Sequence, residues 1–235
     1  MAGSDRVYDQ WENKDAGGVG ALTRSKTASR PVAVAQGLVD TRCIHASAKI
    51  FAQLPQAKFS TILADPPWRY QNSTGKVAPQ HKRLHRYSCL SVEEIAILPV
   101  ADIAADTSHL YLWTPNAMLA EGLSVMKAWG FCYKTNIVWH KVRKDGGPDG
   151  RGVGFYFRNV TELVLFGTRG KNARTAAPGR RQVNFMATRK REHSRKPDEL
   201  YEIIEQCSPS PWIELFARGR RDGWESWGDE VDAGQ

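Results

Sequence analysis

The sequence predicts an α/β fold built on a parallel-type sheet, and two observations lead to that class. From about Leu38 onward, short apolar segments typical of strands alternate with segments whose apolar residues recur at helical spacing, as parallel strands joined by crossover helices require. The length of 235 residues suits one such domain with additional loops or a tail. We therefore expect residues 37–235 to form a single domain and residues 1–36, rich in Gly, Ala, Ser, Thr and charge, to form a flexible tail.

The predicted elements begin with a central strand. Phe59–Ala64 is short and mostly apolar, which is typical of a strand buried on both faces. Ser91–Leu98 predicts a short helix, because Ser91 is a favoured N-cap residue and two glutamates occupy the first turn. Apolar runs predict the remaining strands at His109–Trp113, Phe131–Trp139, Thr161–Phe166, near Val183 and at Trp212–Ala217.

Two longer helices separate these strands. Asn116–Trp129 is amphipathic and ends before Gly130, and its predicted apolar face consists of Leu119, Leu123 and Met126. The second helix is predicted to begin with Pro197 at its first position. The predicted buried stripe of that helix consists of Leu200, Ile203, Ile204 and Cys207.

The charge balance is compatible with a polyanionic partner, but it does not by itself distinguish such a partner from a solvated surface. Lys and Arg exceed Asp and Glu by eight (33 − 25), and the isoelectric point is near 9.4. Such an excess is the electrostatic footprint of a nucleic-acid-binding domain, although a solvated surface explains it equally well. The four cysteines form no C-x-x-C pair, and no apolar run is long enough to span a membrane. We expect a cytoplasmic protein with reduced thiols.

The segment Asp65-Pro66-Pro67-Trp68 directly follows the predicted central strand, where open α/β sheets bind ligands. Its groups suit the activation of an exocyclic amine such as that of adenine, whose lone pair is delocalised into the ring. The Asp65 carboxylate and the Pro66 carbonyl can each accept one N–H, and the two prolines shape the turn. Trp68 offers a face on which an extruded base can stack. The alternative is an ordinary Pro-Pro turn that ends a strand.

Many further positions, in order along the chain, share one resemblance. The chain resembles the Asp-Pro-Pro-Trp adenine-N6 methyltransferases of the beta class, in the branch similar to the catalytic subunit of the mRNA N6-adenosine methyltransferase. The similarity runs from about Lys58 to Glu230. It includes Tyr87-x-x-Leu-Ser-x-Glu-Glu94, Leu110-Tyr-Leu-Trp113, Ile137-Val-Trp-His-Lys141, Thr161-Glu162, Ser194-Arg-Lys-Pro-Asp-Glu-Leu-Tyr201, Ile213-Glu-Leu-Phe-Ala-Arg218 and Gly223-Trp224.

The resemblance implies a Rossmann-like, mostly parallel sheet with helices on both faces and S-adenosylmethionine as the methyl donor. Lys196, placed before Pro197 at the start of a helix, is expected to hold the methionine carboxylate of the donor. The other implied cofactor-binding residues are Asp65, Arg218, Arg220, Arg221, Asp229 and Glu230. Asp229 and Glu230 replace the amide pair that is usual in the family, and their carboxylates can still accept hydrogen bonds from ribose hydroxyls.

The predicted substrate contacts lie in and beside two loops, 69–88 and 141–158. Tyr87 is expected by resemblance to close over the base or the cofactor, and Trp68, Arg69 and Lys141 are further candidates for substrate contact. Glu162 is interpreted as a polar support of the pocket. A basic cluster is a candidate path for phosphates, although a solvated charged surface is nearly as good an explanation; it consists of Arg180, Arg181, Arg189, Lys190, Arg191 and Arg195.

No metal site is predicted. His81, His85 and Cys89 are spaced four residues apart, as ligands on one helical face would be, but their surroundings are polar and loop-like and offer no obvious fourth ligand.

The substrate polymer and the catalytic role each have an alternative. A compact chain without the appended domains of the eukaryotic mRNA enzymes is expected to be a prokaryotic, phage or mobile-element member that acts on adenine in DNA; RNA is the alternative substrate. A homodimer or a related partner subunit is possible in either case. The alternative to a catalytic role is a non-catalytic partner subunit that only binds nucleic acid, as some relatives are. Such relatives lose the Asp or the Trp of the motif, whereas this chain keeps both.

Overall fold

In the part of the chain that the computed structural model describes, residues 54–69, 89–149, 156–189, 195–228 and 231, seven strands form one sheet. The predicted tail at residues 1–36 lies outside these residues. The strands are β1 (Phe59–Ala64), β2 (Ala104–Thr114), β3 (Cys132–Val142), β4 (Thr161–Arg169), β5 (Phe185–Arg189), β6 (Trp212–Leu215) and β7 (Trp224–Trp227).

The sheet is mostly parallel, as predicted. Its strand order is β5-β3-β4-β2-β1-β6-β7. Strand β4 is antiparallel to both of its neighbours, whereas every other pair is parallel, so six of the described strands share one direction. The carboxyl ends of β1, β2, β3 and β6 therefore meet at one edge, called the carboxyl edge below; the opposite edge is the amino edge. The amino end of β4 also lies at the carboxyl edge.

Helices cover both faces of the sheet, as the resemblance implied. The described α-helices are α1 (Val92–Ala96), α2 (Val100–Ile103), α3 (Leu119–Ala128) and α4 (Glu199–Cys207). Residues of α1, α2 and α3 share one core cluster with Ile62 and Leu112, while residues of α4 share the other with Leu63 and Trp113. Because successive side chains of a strand point to opposite faces, these two clusters are the two sides of one sheet.

Local sequence signals fix the ends of two helices. Ser91 caps α1 through the N–H of Glu94, and the Glu94 carboxylate accepts a bond from the N–H of Ser91 in return, which makes a complete capping box. Helix α3 ends before Gly130, whose φ of 81° lies in the left-handed region that favours glycine. Both of these predictions are confirmed.

Other predictions need correction. The first turn of the predicted helix at Asn116–Trp129 is a separate 3₁₀ turn, Asn116–Met118. Of the predicted apolar face, Met126 is buried and Leu123 packs against the core, whereas Leu119 is 40% exposed; Gly122 and Val125 complete the buried side. Helix α4 begins at Glu199, so Pro197 precedes the helix rather than opening it.

The small elements were the hardest to locate. The strand expected near Val183 is β5, which begins at Phe185 and leaves Val183 exposed. Helix α2 and strand β7 were not predicted. None of the described helices is long and apolar enough to cross a membrane.

Candidate active site

The predicted catalytic segment forms a tight turn at the carboxyl edge. The N–H of Asp65 donates to the Leu215 carbonyl (3.3 Å), which ties the end of β1 to the end of β6. The Pro66 carbonyl accepts a hydrogen bond from the N–H of Trp68 (2.8 Å), and the Pro67 carbonyl accepts one from Leu90 (2.9 Å). The Pro66 carbonyl thus keeps one lone pair for a second donor, which is compatible with its expected role.

Trp68 lies elsewhere than expected. Its side chain is only 5% exposed and packs in the core cluster with Ile62, and its indole N–H donates to the Trp113 carbonyl (2.9 Å). A buried indole usually finds such a partner, and this one comes from the neighbouring strand β2. In this structure Trp68 therefore anchors the turn and does not present an open face for stacking.

Four charged side chains form a chain of contacts beside this turn, called the ion network below. The Lys196 ammonium lies 3.1 Å from Asp65 Oδ1 and donates to Glu162 Oε2 (2.9 Å). The other carboxylate oxygen of Glu162 accepts a short hydrogen bond from Lys141. The network therefore joins residues from the ends of β1, β3 and β4 and from the segment before α4. The structure brings together Asp65, Lys141 and Lys196, which were predicted as site residues in three different roles.

Two tryptophans support the lysines of the ion network. Lys196 Nζ lies 4.6 Å from the centre of the Trp113 ring, and Lys141 Nζ lies 4.8 Å from that of Trp139. The two rings also meet edge to face, with centres 5.6 Å apart. Both cation–π contacts hold the ammonium groups over an apolar surface, which strengthens their attraction to the carboxylates. Trp113 and Trp139 thus form a wall of the site.

The network favours the charged forms of Lys196 and Glu162. Burial opposes ionisation of the Lys196 ammonium, but the carboxylates of Asp65 and Glu162 outweigh it, so the pKa of Lys196 is raised. Burial likewise opposes ionisation of Glu162, but Lys196 and Lys141 outweigh it, so the pKa of Glu162 is lowered. Glu162 therefore serves as a carboxylate that positions two lysines, in agreement with its interpretation as a polar support.

Glu214 is a further site residue that the sequence did not reveal. It lies on β6, and its carboxyl accepts a hydrogen bond from the Tyr201 hydroxyl (2.8 Å). Burial, together with the nearby charge of Asp65, raises the pKa of Glu214 to about 7. In the sequence Glu214 alternates with apolar neighbours, as an exposed strand residue does, so nothing marked it as a buried carboxyl.

The chain after β6 has the tight geometry typical of a ligand site. Phe216 adopts a φ of 63°, which is costly for a residue with a side chain. The backbone of Ala217 approaches Gly228 so closely that a Cβ there would lie 2.3 Å from the Ala217 carbonyl oxygen. Gly228 immediately precedes the predicted ribose-binding residues Asp229 and Glu230, which lie outside the described residues.

The predicted arginine contacts are only partly assembled. Arg218 and Arg220 are exposed beyond the end of β6. Arg221 instead packs on the Tyr201 ring, 4.3 Å from its centre, and its Nε lies 3.5 Å from Glu205. Arg221 is therefore held against α4 in this structure, close to the Tyr201–Glu214 pair.

Of the predicted substrate contacts, some also lie at the active site and others do not. Lys141 belongs to the ion network, whereas Arg69 donates to the Cys89 carbonyl (2.9 Å) and pairs with Glu94 at 3.9 Å. Tyr87 lies outside the described residues, as do His81 and His85. Sequence reasoning missed Tyr156 and Phe157, which are 94% and 89% exposed and precede β4 at the carboxyl edge. Two adjacent aromatic side chains in a polar loop would have been the available signal.

The four described members of the basic cluster do not form one path. Arg189 ends β5 opposite Val142 at the carboxyl end of β3, and Arg195 pairs with Asp198 (3.1 Å). Arg180, in contrast, lines a cavity together with Lys134 near the start of β3. Arg181 follows Arg180 in the 3₁₀ turn Pro178–Arg181, while Lys190 and Arg191 lie outside the described residues. The cluster thus spreads along the length of β3.

Comparison with known proteins identifies the family. Residues 59–230 match the MT-A70 family model. The chain is 31% identical over 199 residues to the Type II methyltransferase M.MunI of Mycoplasma sp, with 78% of this chain and 82% of that protein covered. It is 28% identical over 179 residues to the N(6)-adenosine-methyltransferase catalytic subunit METTL3 of Homo sapiens, with 74% and 28% covered.

A fungal relative has a similar degree of likeness. The chain is 29% identical over 180 residues to the N6-methyladenosine RNA methyltransferase MTA1 of Cryphonectria parasitica, with 74% of this chain and 52% of that protein covered. The chain thus spans most of the mycoplasma relative and a smaller share of the two eukaryotic ones. The family match includes the catalytic segment, the ion network and the end of β6. The chain therefore belongs to the MT-A70 family of adenine-N6 methyltransferases.

Proposed function

We propose that the protein transfers a methyl group from S-adenosylmethionine to the N6 amine of an adenine in DNA. Methyltransferases of this family depend on that donor in general. The observation that carries the proposal is the position of Asp65, which ends β1 at the carboxyl edge and is tied to Glu162 through Lys196. Ligands of open α/β sheets bind at this edge, and the catalytic segment supplies the acceptors that an adenine amine needs.

Asp65 and Pro66 orient the amine in this proposal. Lys196 contacts Oδ1 of Asp65, which leaves Oδ2 to accept one amine N–H, while the Pro66 carbonyl accepts the other. These two bonds direct the nitrogen lone pair towards the methyl group, so the main contribution is orientation. The contact with Lys196 holds the Asp65 side chain in place, so that its second oxygen can accept the N–H. The N–C bond forms as the S–C bond breaks, and the methylated amine then loses one proton to water.

The residues at the carboxyl edge suit a methyl donor that carries positive and negative groups. Bound S-adenosylmethionine supplies an electrophilic methyl group on a sulfonium, together with an ammonium and a carboxylate. Lys196 is the candidate partner for the carboxylate, and the carboxyl groups of Asp65 and Glu214 are candidates for the cationic groups. The left-handed turn at Phe216 brings the chain close to Gly228 at the position where the resemblance places the ribose. Arg218, Arg220, Asp229 and Glu230 remain predicted contacts.

Charge and exposed aromatic residues support a nucleic acid as substrate. The net charge of +8 favours a polyanion. Tyr156 and Phe157 offer two exposed rings in the segment that precedes β4, and such rings stack on unpaired bases. The target adenine must be extruded from a duplex to reach Asp65. DNA is favoured over RNA because the relative matched over 82% of its length is named as a Type II methyltransferase, whereas the relatives named for RNA or adenosine methylation are matched over 52% and 28% of theirs.

The test is a transfer assay with three polymers in parallel. Purified protein receives radiolabelled S-adenosylmethionine and duplex DNA, single-stranded DNA or RNA of matched sequence, and the products are digested to nucleosides. We expect label on N6-methyladenine from DNA, reduced at least about 100-fold by Asp65→Ala. Asp106→Ala, which removes an exposed carboxylate near the amino edge, is the matched control and should retain full activity.

Each outcome has a distinct meaning. Label from RNA alone would keep the reaction and overturn DNA as the substrate. Label on cytosine, or equal activity of the Asp65→Ala variant, would overturn the proposed chemistry. If no polymer were labelled and calorimetry detected no donor binding, the enzymatic role itself would be wrong.

A further inference from the structure

A cavity lies on the α4 face of the sheet, towards the amino edge. Its volume is about 410 Å³. The floor is formed by side chains of β2, β3 and β4, including Tyr111, Ile137 and Phe166, and one wall is formed by Ile203 and Cys207 of α4. The segment 173–184 closes the other side. The volume falls within the range of small-molecule sites, about 300–1,000 Å³.

The cavity is separate from the ion network. Phe166 lies four residues along β4 from Glu162, which corresponds to about 13 Å of extended chain. Between them, on the same face, lies a buried layer that contains Trp113, Trp139 and Val164. A ligand in the cavity would therefore contact none of the four residues of the ion network.

Three cationic side chains stand around this otherwise apolar space. Lys134, Arg174 and Arg180 line the cavity and are exposed. Among the described residues, none of the three takes part in an ion pair; the Lys134 ammonium has a weak contact, 3.5 Å, with the Cys132 thiol. The three come from different segments, the start of β3 and two places in the chain before β5. None of the described residues that line the cavity is an Asp or Glu that could balance them.

We propose that this cavity binds a small organic anion with a flat apolar body, such as an aromatic carboxylate or a phosphate monoester of similar shape. The rings of Tyr111 and Phe166 form an apolar and aromatic floor, which would hold the flat body. The cations at the rim would hold the charged group, with Arg174 and Arg180 able to bind an oxyanion through two N–H groups each. The proposal does not depend on the methyl transfer reaction.

The charge pattern selects this ligand class over its neutral and cationic relatives. A neutral aromatic molecule would bury the same apolar area and leave the three cations without a partner. A cation of the same shape would be repelled. Binding should therefore depend on the sign of the ligand charge much more than on the identity of its ring, and it should weaken as salt screens the exposed cations.

The experiment uses the full chain and three probes of similar size, 2-naphthoate, 2-naphthamide and 2-naphthylmethylammonium, in titrations followed by naphthalene fluorescence. We expect 2-naphthoate to bind at least about tenfold more tightly than the other two. The variant Arg174→Gln/Arg180→Gln should reduce its affinity about tenfold or more. Ala173→Trp, which fills the cavity, should abolish binding. The matched control is Lys127→Gln, an exposed cation on α3, which should bind as the wild type does.

The comparison among probes and variants decides the proposal. Equal affinities for the three probes, or no saturable binding of 2-naphthoate, would overturn it. The same holds if the double variant and the Lys127→Gln control bind alike. Circular dichroism establishes that each variant is folded before its titration is read. An excess of unlabelled S-adenosylmethionine should leave 2-naphthoate binding unchanged; competition would place the probe in the carboxyl-edge site and would contradict the proposal.

Discussion

Two polar clusters lie towards opposite edges of the sheet, and they are built differently. At the amino edge, the Ser208 hydroxyl lies 2.7 Å from both His109 Nδ1 and the Tyr111 hydroxyl, and all three side chains are at most 3% exposed. At the carboxyl edge, the side chains of Asp65, Lys196 and Glu162 are 16%, 22% and 24% exposed. The first cluster is closed and the second is open.

The charge state differs as well. Burial lowers the pKa of His109, opposed by a hydrogen bond to the Ala173 backbone, so the amino-edge cluster is neutral at physiological pH. The ion network carries two positive and two negative charges in a partly exposed position. A neutral, fully bonded cluster stabilises the fold and leaves no polar group of its own unpaired for catalysis. A charged and accessible network retains groups that can exchange partners, which is what a catalytic site requires.

The largest effect should follow from removing the cation at the centre of the network. Lys196→Met removes the cation that contacts Asp65 and leaves Glu162 with Lys141 as its remaining counter-charge in the network. We expect methyl transfer to fall about 100-fold or more, because Asp65 loses the contact that orients its carboxylate. The free energy of unfolding should fall by about 2 kcal/mol, less than for a fully buried pair because the network is partly exposed. Radiolabel transfer and urea titration measure the two effects.

Lys127→Met provides the control for this prediction. Lys127 is an exposed cation on α3, and the same substitution there should change neither activity nor stability appreciably. Similar losses in the two variants would mean that the ion network is no more than surface charge.

A second prediction concerns Glu214, the half-buried carboxyl next to the network. Because its pKa is raised to about 7 in the folded protein, it contributes stability that is fully present below the ordinary value of 4.5 and is lost as the pH rises through 7. Glu214→Gln removes this loss. On going from pH 5 to pH 8, the free energy of unfolding of the variant should therefore rise by about 2 kcal/mol relative to that of the wild type. Urea unfolding at the two pH values measures it.

The control for Glu214 lies on the adjacent strand. Glu225 on β7 is exposed and occupies the register position opposite Ile213, so Glu225→Gln should leave the pH dependence of stability unchanged. If Glu214→Gln and the wild type lost the same stability on going from pH 5 to pH 8, the carboxyl would be ionised throughout and the account of its burial would be wrong.

The sequence was sufficient for the framework because its signals are local. The apolar run Phe59–Ala64 predicted β1, and the position of Asp65 after it placed the catalytic segment at the carboxyl edge. Ser91 predicted the start of α1 because a capping box requires only residues three positions apart. The reversed direction of β4 was not visible in the sequence, since a buried apolar strand has the same pattern in either direction.

The details of the site depended on contacts between distant segments. Trp68 was expected to face a base, but its position is decided by the Trp113 carbonyl, 45 residues away. Lys196 was expected at a helix N-terminus, yet the helix begins at Glu199, and carboxylates from β1 and β4 hold the ammonium instead. Side-chain partners from other strands cannot be inferred from spacing along one segment.

The smallest predicted effect tests the closed cluster. Ser208→Ala leaves His109 Nδ1 and the Tyr111 hydroxyl buried without their shared partner, which should lower the free energy of unfolding by about 1.5 kcal/mol. Ser226 is the matched control, because its hydroxyl is buried and makes no hydrogen bond within the described residues, so Ser226→Ala should be neutral or slightly stabilising. Neither change should alter turnover. A Ser208→Ala variant that kept its stability but lost methyl transfer would show that the amino-edge cluster acts on the active site, and the division of the two clusters into structure and catalysis would have to be abandoned.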